Sequence, residues 1–464
     1  MSTVVNKRIV SIDILRGITI FMMILCANIG WHSNLPGWMY HCQTPPPTYA
    51  FDPTNVGITW VDLVFPIFLF TMGAAFPFAL RKKMENGISK FTLTAGLFRR
   101  WFTLSIFAIV LGNAYELAGV NISEWIKGLF SLIIWGVMFM SLVRLDNKPW
   151  GKHINNIGLI LMIALAVIKV DYFGVPLNRW AADIIIMILA NVAFWGGLIW
   201  MLTKDSLRLR WLFIAFIAAL KGLSSYTPEV LAWVPSFAAI SWLFNWGYLQ
   251  YLIIALIGSV IGDMLLNNSR SGHKAEIKGK HIIAGCIAIV AVVVQLWGLY
   301  VRAILADFII SAVLGAGFIT LTFTQRNIMT NVGYIGFALM LTGIAFDPID
   351  GGIAKDHCNL SYLFTTSGIS ALMTSFLLMI EYRWGAKNLF GGYGLSSCGQ
   401  NPMLAYTVTS FFISPLLALC GFGGWINAIC VGSPFWGIVR GIVYTLLMVI
   451  VTSFFTKKKL FWRS

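Results

Sequence analysis

A few residues in this sequence carry charge or a titratable ring where the surrounding chain is apolar. Asp13 and Arg16 lie in the apolar run 9–31, and Asn28 follows near its end. Residues three apart share one face of a helix. The fifteen residues from Asp13 to Asn28 return to within about 60° of the same direction, roughly 22 Å further along the axis. One polar stripe would therefore line this helix. Asp62 opens the next run, in Trp60-Val61-Asp62-Leu63-Val64-Phe65-Pro66. Between them stands His41, in Tyr40-His41-Cys42-Gln43. An imidazole titrates near neutral pH and is the commonest general base. His357, in Ala354-Lys355-Asp356-His357, is a second candidate base. Each residue also has a plainer reading. Asp13 and Arg16 could pair near the headgroups, and Asn28 could hydrogen-bond a neighbouring helix. Asp62 could cap its helix, and His41 could be a solvated loop residue.

The elements that must position these groups are helices in lipid. Of 464 residues, 58% are hydrophobic and 11% charged, against about 25% charged in soluble domains. A helix of about 20 apolar residues spans the hydrocarbon. Fourteen apolar runs follow one another: 9–31, 58–80, 99–118, 124–143, 154–171, 181–202, 211–225, 247–266, 281–301, 303–323, 331–346, 361–380, 400–420 and 434–455. Several are short, so the expectation is an all-α polytopic transmembrane bundle of about 12–14 spans, forming one domain over 1–464. The run after Lys7-Arg8 is too long for a signal peptide core and is read as a retained first span.

The net charge of +15 does not point to nucleic acid, because the basic residues sit in short clusters between runs. With the N-terminus in the cytoplasm and alternating sides, inner segments collect 25 Lys and Arg. Outer loops collect three: Arg179, Arg302 and Lys355. That bias places both termini in the cytoplasm. Lys127, Lys169, Asp183, Lys221, Asp263 and Arg440 fall in or beside runs and are expected to snorkel or pair. The Pro45–Pro47 run stiffens the outer segment 32–57. The segment 226–246, around Trp233-Val234-Pro235, is expected to fold back into the interface. Cys42 and Cys358 lie in outer loops, where a disulfide is allowed; Cys26, Cys286, Cys420 and Cys430 read as packing residues. No metal-ligand spacing, P-loop or nucleotide fingerprint is present, so neither a metal nor ATP-driven pumping is implied.

Several of these motifs resemble those of the heparan-α-glucosaminide N-acetyltransferase family. Arg8-Ile9-Val10-Ser11-Ile12-Asp13-Ile14-Leu15-Arg16-Gly17 is similar to its R-x-x-S-x-D-x-x-R-G opening, and Asn28 falls where that family has an Asn. Gly57-Ile58-Thr59-Trp60-Val61-Asp62-Leu63-Val64-Phe65-Pro66 resembles G-x-T-x-x-D-L-V-F-P. Lys355 with Leu360-Ser361-Tyr362 is similar to K-x-L-W-S-L-S-Y, and Gly399-Gln400-Asn401-Pro402 to G-x-N-S. The ending Lys458-Lys459-Leu460-Phe461-Trp462-Arg463 resembles K-K-x-F-W-[KR]. The matches lie at both ends of the chain, and the middle does not align.

The resemblance implies a membrane-embedded N- or O-acetyltransferase of the bacterial cytoplasmic membrane. It would move an acetyl group from cytosolic acetyl-CoA to an amino sugar or glycan on the outer side. His41 would accept the proton of the incoming amine. Asn28 would orient the thioester or support the oxyanion, a contribution of about 3–4 kcal/mol in a dry site. Asp13, Arg16, Asp62, Lys355 and Asn401 would bind substrate or acyl donor, and inner Arg and Lys the nucleotide phosphates. The bilayer and a glycan acceptor are the implied partners, and a homodimer is allowed. The family's catalytic His aligns without gaps on Asp52; His41 stands eleven residues earlier. Two other readings compete. One is a sugar or small-solute transporter with the polar stripe as its path. The other is an envelope or scaffold protein that lost catalysis, motivated by Asp52.

Overall fold

The computed structural model describes residues 9–30, 33–118, 121–145, 148–167, 182–227, 243–272, 276–385 and 394–462. Each of the fourteen runs becomes helix. The helices are α1 (Val10–Asn28), α2 (Val64–Glu85), α3 (Lys90–Ala118), α4 (Glu124–Leu142), α5 (Gly151–Val167), α6 (Ile184–Thr203) and α7 (Leu207–Tyr226). They continue as α8 (Trp246–Leu249), α9 (Leu252–Arg270), α10 (Gly279–Tyr300), α11 (Ile304–Thr322), α12 (Ile328–Phe346) and α13 (Leu360–Trp384). The last are α14 (Gly394–Gln400), α15 (Pro402–Val408), α16 (Ser414–Leu419), α17 (Phe422–Cys430) and α18 (Pro434–Lys457).

Among the described residues, twelve helical segments are long and apolar enough to cross a membrane, and the chain is an all-α polytopic integral membrane protein. This is the lower end of the expected range. Helix α5 has 17 residues and falls short, and α7 carries Arg208, Arg210 and Lys221. The run 400–420 is an interrupted helix: α15 and α16 are joined by a π-helical turn, Thr409–Ile413. The expected fold-back around Trp233 lies outside the described residues, as do Lys169 and Arg179.

Burial sorts the helices. The spans containing α9 and α13 are 89% and 78% buried, while α4 and α11 are 22% buried. So α9 and α13 are central, and α4 and α11 expose most of their apolar side chains. Helix α13 buries a ladder of hydroxyls that return to their own helix: Thr366, Ser367 and Ser370 each donate at 2.7 Å to the carbonyl four residues earlier. Self-satisfied hydroxyls can be packed tightly without stranding a polar atom. Helices also touch closely through small residues. A Cβ on Gly17 would lie 1.8 Å from the Leu395 carbonyl oxygen, and one on Gly399 1.8 Å from that of Asp13. Only glycine permits this α1–α14 crossing, in the manner of membrane helix pairs.

The described charged residues near the spans are paired, capped or bonded, Asp183, Lys221 and Arg440 by hydrogen bonds to neutral groups rather than by the expected ion pairs. Lys127 meets Glu124 at 2.9 Å, Asp183 caps α6, and Lys221 donates to the His357 carbonyl at 3.0 Å. The N-terminus of α1 takes a carboxylate from α13: Glu381 accepts from the Ser11 amide at 2.8 Å and from the Ser11 hydroxyl. Negative charge at a helix N-terminus is favourable. The chain's end is sewn in as well. Asn401, fully buried between α14 and α15, donates to Leu460 O and accepts from Trp462 N, both at 2.9 Å. Trp462 pairs with Val143 as an isolated bridge and packs on Trp135 and Phe139.

Candidate active site

Three segments meet beyond the C-terminal end of α1, the third far from the other two in sequence. The first is the loop after α1, the second the 3-10 turn Trp60–Leu63 that leads into α2, and the third the loop before α13. They are tied by backbone, with Gly57 N donating to Ile353 O at 2.8 Å. Nearby, Arg302 grips Asp347 with two hydrogen bonds of 2.8 Å. Asp347 also accepts from Ile353 N at 2.7 Å.

Asp62 is the hub. Its residue is 1% exposed. The sequence Thr59-x-x-Asp62 forms a capping box, and Oδ2 accepts from the Thr59 amide at 3.0 Å. The Cys42 amide also donates to Oδ2, at 3.2 Å. Tyr362 of α13 donates its hydroxyl to the Asp62 carbonyl at 2.9 Å, which fixes the turn against the central helix. The other carboxylate oxygen, Oδ1, lies 2.6 Å from His41 Nδ1. At that separation a proton must lie between them, so Nδ1–H donates to the carboxylate. The ring is thereby held in one tautomer, and its second nitrogen, Nε2, has no partner among the described residues. The His41 side chain is 33% exposed while that of Asp62 is 0% exposed. The ring therefore presents Nε2 away from a sealed anion.

Lys355 completes the cluster. Its Nζ stands 3.2 Å from His41 Nδ1 and 3.7 Å from Asp62 Oδ1. Nδ1 cannot both donate to Asp62 and accept from an ammonium. The 2.6 Å contact decides for donation, and Lys355 acts as a neutralising charge beside the pair. Of the three outer-loop cations counted in the sequence, Arg302 and Lys355 are thus both committed to aspartates.

The remaining candidates divide. Asn28, at the end of α1, donates its amide to the Ile24 carbonyl at 2.8 Å, and Cys26 on the same turn lies within electrostatic reach of Asp62 and Lys355. Arg16 donates to Thr71 O at 2.8 Å and to Gly399 O at 3.3 Å, tying α1 to α2 and α14. Asp13 is buried where Gly399 crosses α1. Asp13 and Arg16 thus lie along α1 from His41, toward the other end of the bundle. Asn401 spends both ends of its amide on the C-terminal tail. His357 is exposed. Asp52, the ungapped match to the family's His, is exposed and accepts from the Thr54 hydroxyl and amide at 2.6 and 2.9 Å. Those bonds hold its carboxyl below the usual range, so it remains an anion within its own turn.

The allowed disulfide is not made: Cys42 and Cys358 are both free. Burial first, and then the Asp62 charge, push the Cys42 thiol up to about 11, while burial pushes Cys358 up to about 12. Neither is a ready nucleophile at neutral pH. No group of three His, Cys, Asp or Glu able to hold a metal occurs among the described residues. A surface groove on α18, lined by Val449, Ile450, Ser453, Phe454 and Lys457, contains none of the candidate residues. Reading by residue type missed Thr59 and Tyr362 as the supports of Asp62. The capping-box spacing of Thr59 and Asp62 was a usable signal; the bond from Tyr362, three hundred positions away, had none.

A family model described as Domain of unknown function (DUF5009) matches residues 8–265, more than half of the chain. The match includes Asn28, His41 and Asp62 but not Lys355. No curated protein matches the chain.

Proposed function

The chain belongs to the DUF5009 family, and within it we propose a membrane-embedded acyltransferase whose general base is His41. The observation that supports this most is the 2.6 Å contact between His41 Nδ1 and the sealed Asp62 carboxylate. A buried carboxylate that fixes an imidazole tautomer and steadies the imidazolium is the arrangement of acyl-transfer enzymes on unrelated folds. Asp62 would also offset the charge His41 gains on taking a proton, and Lys355 would keep Asp62 itself ionised.

The donor would be acetyl-CoA, which supplies an activated acyl group as a thioester; the acceptor would be an amino sugar or glycan. The amine nitrogen attacks the thioester carbonyl, a C–N bond forms and the C–S bond breaks. His41 Nε2 takes the proton from the amine and returns it to the departing sulfur. Two features of this chain support that reading. Nε2 is accessible and unpartnered among the described residues, and α1 is partly exposed from Leu25 to Asn28, next to His41. Arg16 and the basic residues at the far end of the bundle would hold the donor's phosphates. With that end on the cytoplasmic side of a bacterial inner membrane, donor and acceptor would approach from opposite faces.

A transporter reading draws on the interrupted helix α15–α16, since broken helices mark many transport sites. The polar atoms of its Asn401 are consumed by the tail, however, and the His41 cluster lies on other elements. The deciding experiment uses purified protein in proteoliposomes and radiolabelled acetyl-CoA with glucosamine. Label should reach the sugar in the wild type and not in His41→Ala. Equal transfer by both proteins would end this assignment of His41.

A further inference from the structure

At the same end of the bundle, Arg440 has a chemistry the acyltransferase reading does not use. It lies six residues into α18, about 9 Å along the helix, is partly exposed, and bridges α18 to α1 and α17. Its Nε donates to the Asn28 carbonyl at 2.9 Å, and its Nη1 to Asn427 Oδ1 of α17 at 2.8 Å. Both acceptors are neutral. Among the described residues no carboxylate pairs with Arg440. A guanidinium carries five N–H donors, so two are used and three remain. Nη2 points past Gly30, where a Cβ would lie 3.4 Å away.

Part of this is a helix cap, since a cation on the last carbonyl of α1 opposes the helix dipole. A cap does not need the whole fork, and an unneutralised arginine at membrane depth is costly without an anion. Its surroundings are those of a membrane interface. Phe422 and Trp425 on the short helix α17, and Phe435 and Trp436 at the start of α18, are all exposed. Exposed aromatic rings of this kind sit at headgroup level.

We infer that Arg440, braced by Asn427, is a binding site for the phosphate of a membrane lipid at the His41 end of the bundle. The planar fork matches two phosphate oxygens, and the aromatic rings bracket the level at which such a group lies. Two sources share this chemistry: a phospholipid headgroup, and the phosphate of an isoprenoid carrier. The site does not depend on acyl transfer and can be tested without an acyl donor.

The test is thermal unfolding of the full chain in neutral detergent, titrated with dioleoyl phosphatidylglycerol, farnesyl phosphate, dioleoylglycerol or inorganic phosphate. The wild type should gain a saturable stabilisation from at least one phosphate-bearing lipid, and none from dioleoylglycerol or inorganic phosphate at equal concentration. Arg440→Gln should weaken the apparent affinity about tenfold or more, as expected for lost charge-assisted bonds, and Arg440→Lys by less. Stabilisation by farnesyl phosphate alone identifies an isoprenoid carrier; an equal effect of phosphatidylglycerol identifies a headgroup. Equal stabilisation by dioleoylglycerol, or no saturable effect of either phosphate-bearing lipid, would overturn the inference from the wild type alone, even if Arg440→Gln folds poorly. So would an unchanged affinity in a folded Arg440→Gln protein.

Discussion

Both ends of the bundle bury an aspartate, and the two are held in opposite ways. Asp263 on α9 is 2% exposed. It is paired with Arg210, which is fully buried, receives Trp200 Nε1 at 3.0 Å, and has Arg81 at 3.5 Å. Arg210 spends its other donors on Thr203 and on the Ser259 carbonyl. Asp62 is equally buried, but its partners His41 and Lys355 are each about a third exposed. The first cluster is closed around its close partners, Arg210 and Trp200, which are both fully buried; Arg81 reaches it from the surface and also pairs with Glu85. The second is sealed on the carboxylate side and open on the imidazole side. A buried charge whose partners are all consumed does structural work. One whose partner keeps a free, accessible atom can do chemistry.

The sharpest way to break this comparison is to remove the open partner. His41→Ala should lower acetyl transfer by about 10²–10⁴-fold, the usual range for a general base, while barely moving the thermal midpoint. Asp62→Asn should cost a comparable factor, because an amide can hold the ring in the wrong tautomer. Both are read as initial rates of labelled product. A loss of folding in His41→Ala would mean that the open cluster is structural too.

The closed cluster should respond in the other coordinate. Arg210→Gln leaves Asp263 buried without its main counter-charge and should destabilise by about 3–5 kcal/mol, read by thermal unfolding in detergent. Replacing the pair together, as Arg210→Met with Asp263→Leu, should recover much of that loss, since apolar isosteres often match buried ion pairs. Rates per folded molecule should stay near wild type in the double variant.

How legible was this beforehand? The helices were, because runs of apolar residues longer than a soluble core needs leave little alternative in lipid. Their ends were blurred: α3 begins at Lys90, nine residues before the run at 99, because the largely apolar stretch from Phe91 to Phe98 continues the helix on the near side of Arg99 and Arg100. Single residues were harder. His41 and Asp62 stood out by type, but their contact crosses twenty-one positions, and Lys355 reaches them from about three hundred further on. Asn401 poses the reverse difficulty. An Asn in a Gly-rich break looks like a ligand, yet here it fastens the tail. Nothing local in the sequence separates those two uses.

That distinction gives a smaller prediction. Asn401→Ala strands Leu460 O and Trp462 N and should cost about 2 kcal/mol, with the tail cut sooner by carboxypeptidase. The KM for acetyl-CoA should not change. A raised KM at unchanged stability would return Asn401 to the binding role its motif suggested.

The smallest effect concerns Asp183, which resembles Asp62 in capping a helix but lacks a cation among its described contacts. It accepts from Ile186 N at 2.9 Å and from the Tyr406 hydroxyl at 2.8 Å. Burial raises its carboxyl above the ordinary value, against those two bonds. The native state therefore holds this proton more tightly than the unfolded chain. Stability should then decline as pH rises from the unfolded carboxylate range, near 4, through the native value, and level off above it. Asp183→Asn keeps the cap and the tyrosine contact but removes the proton. The wild type should thus lose thermal midpoint relative to the variant between about pH 4 and the native value, and run parallel to it at higher pH. Parallel curves throughout would show Asp183 ionised alike in both states.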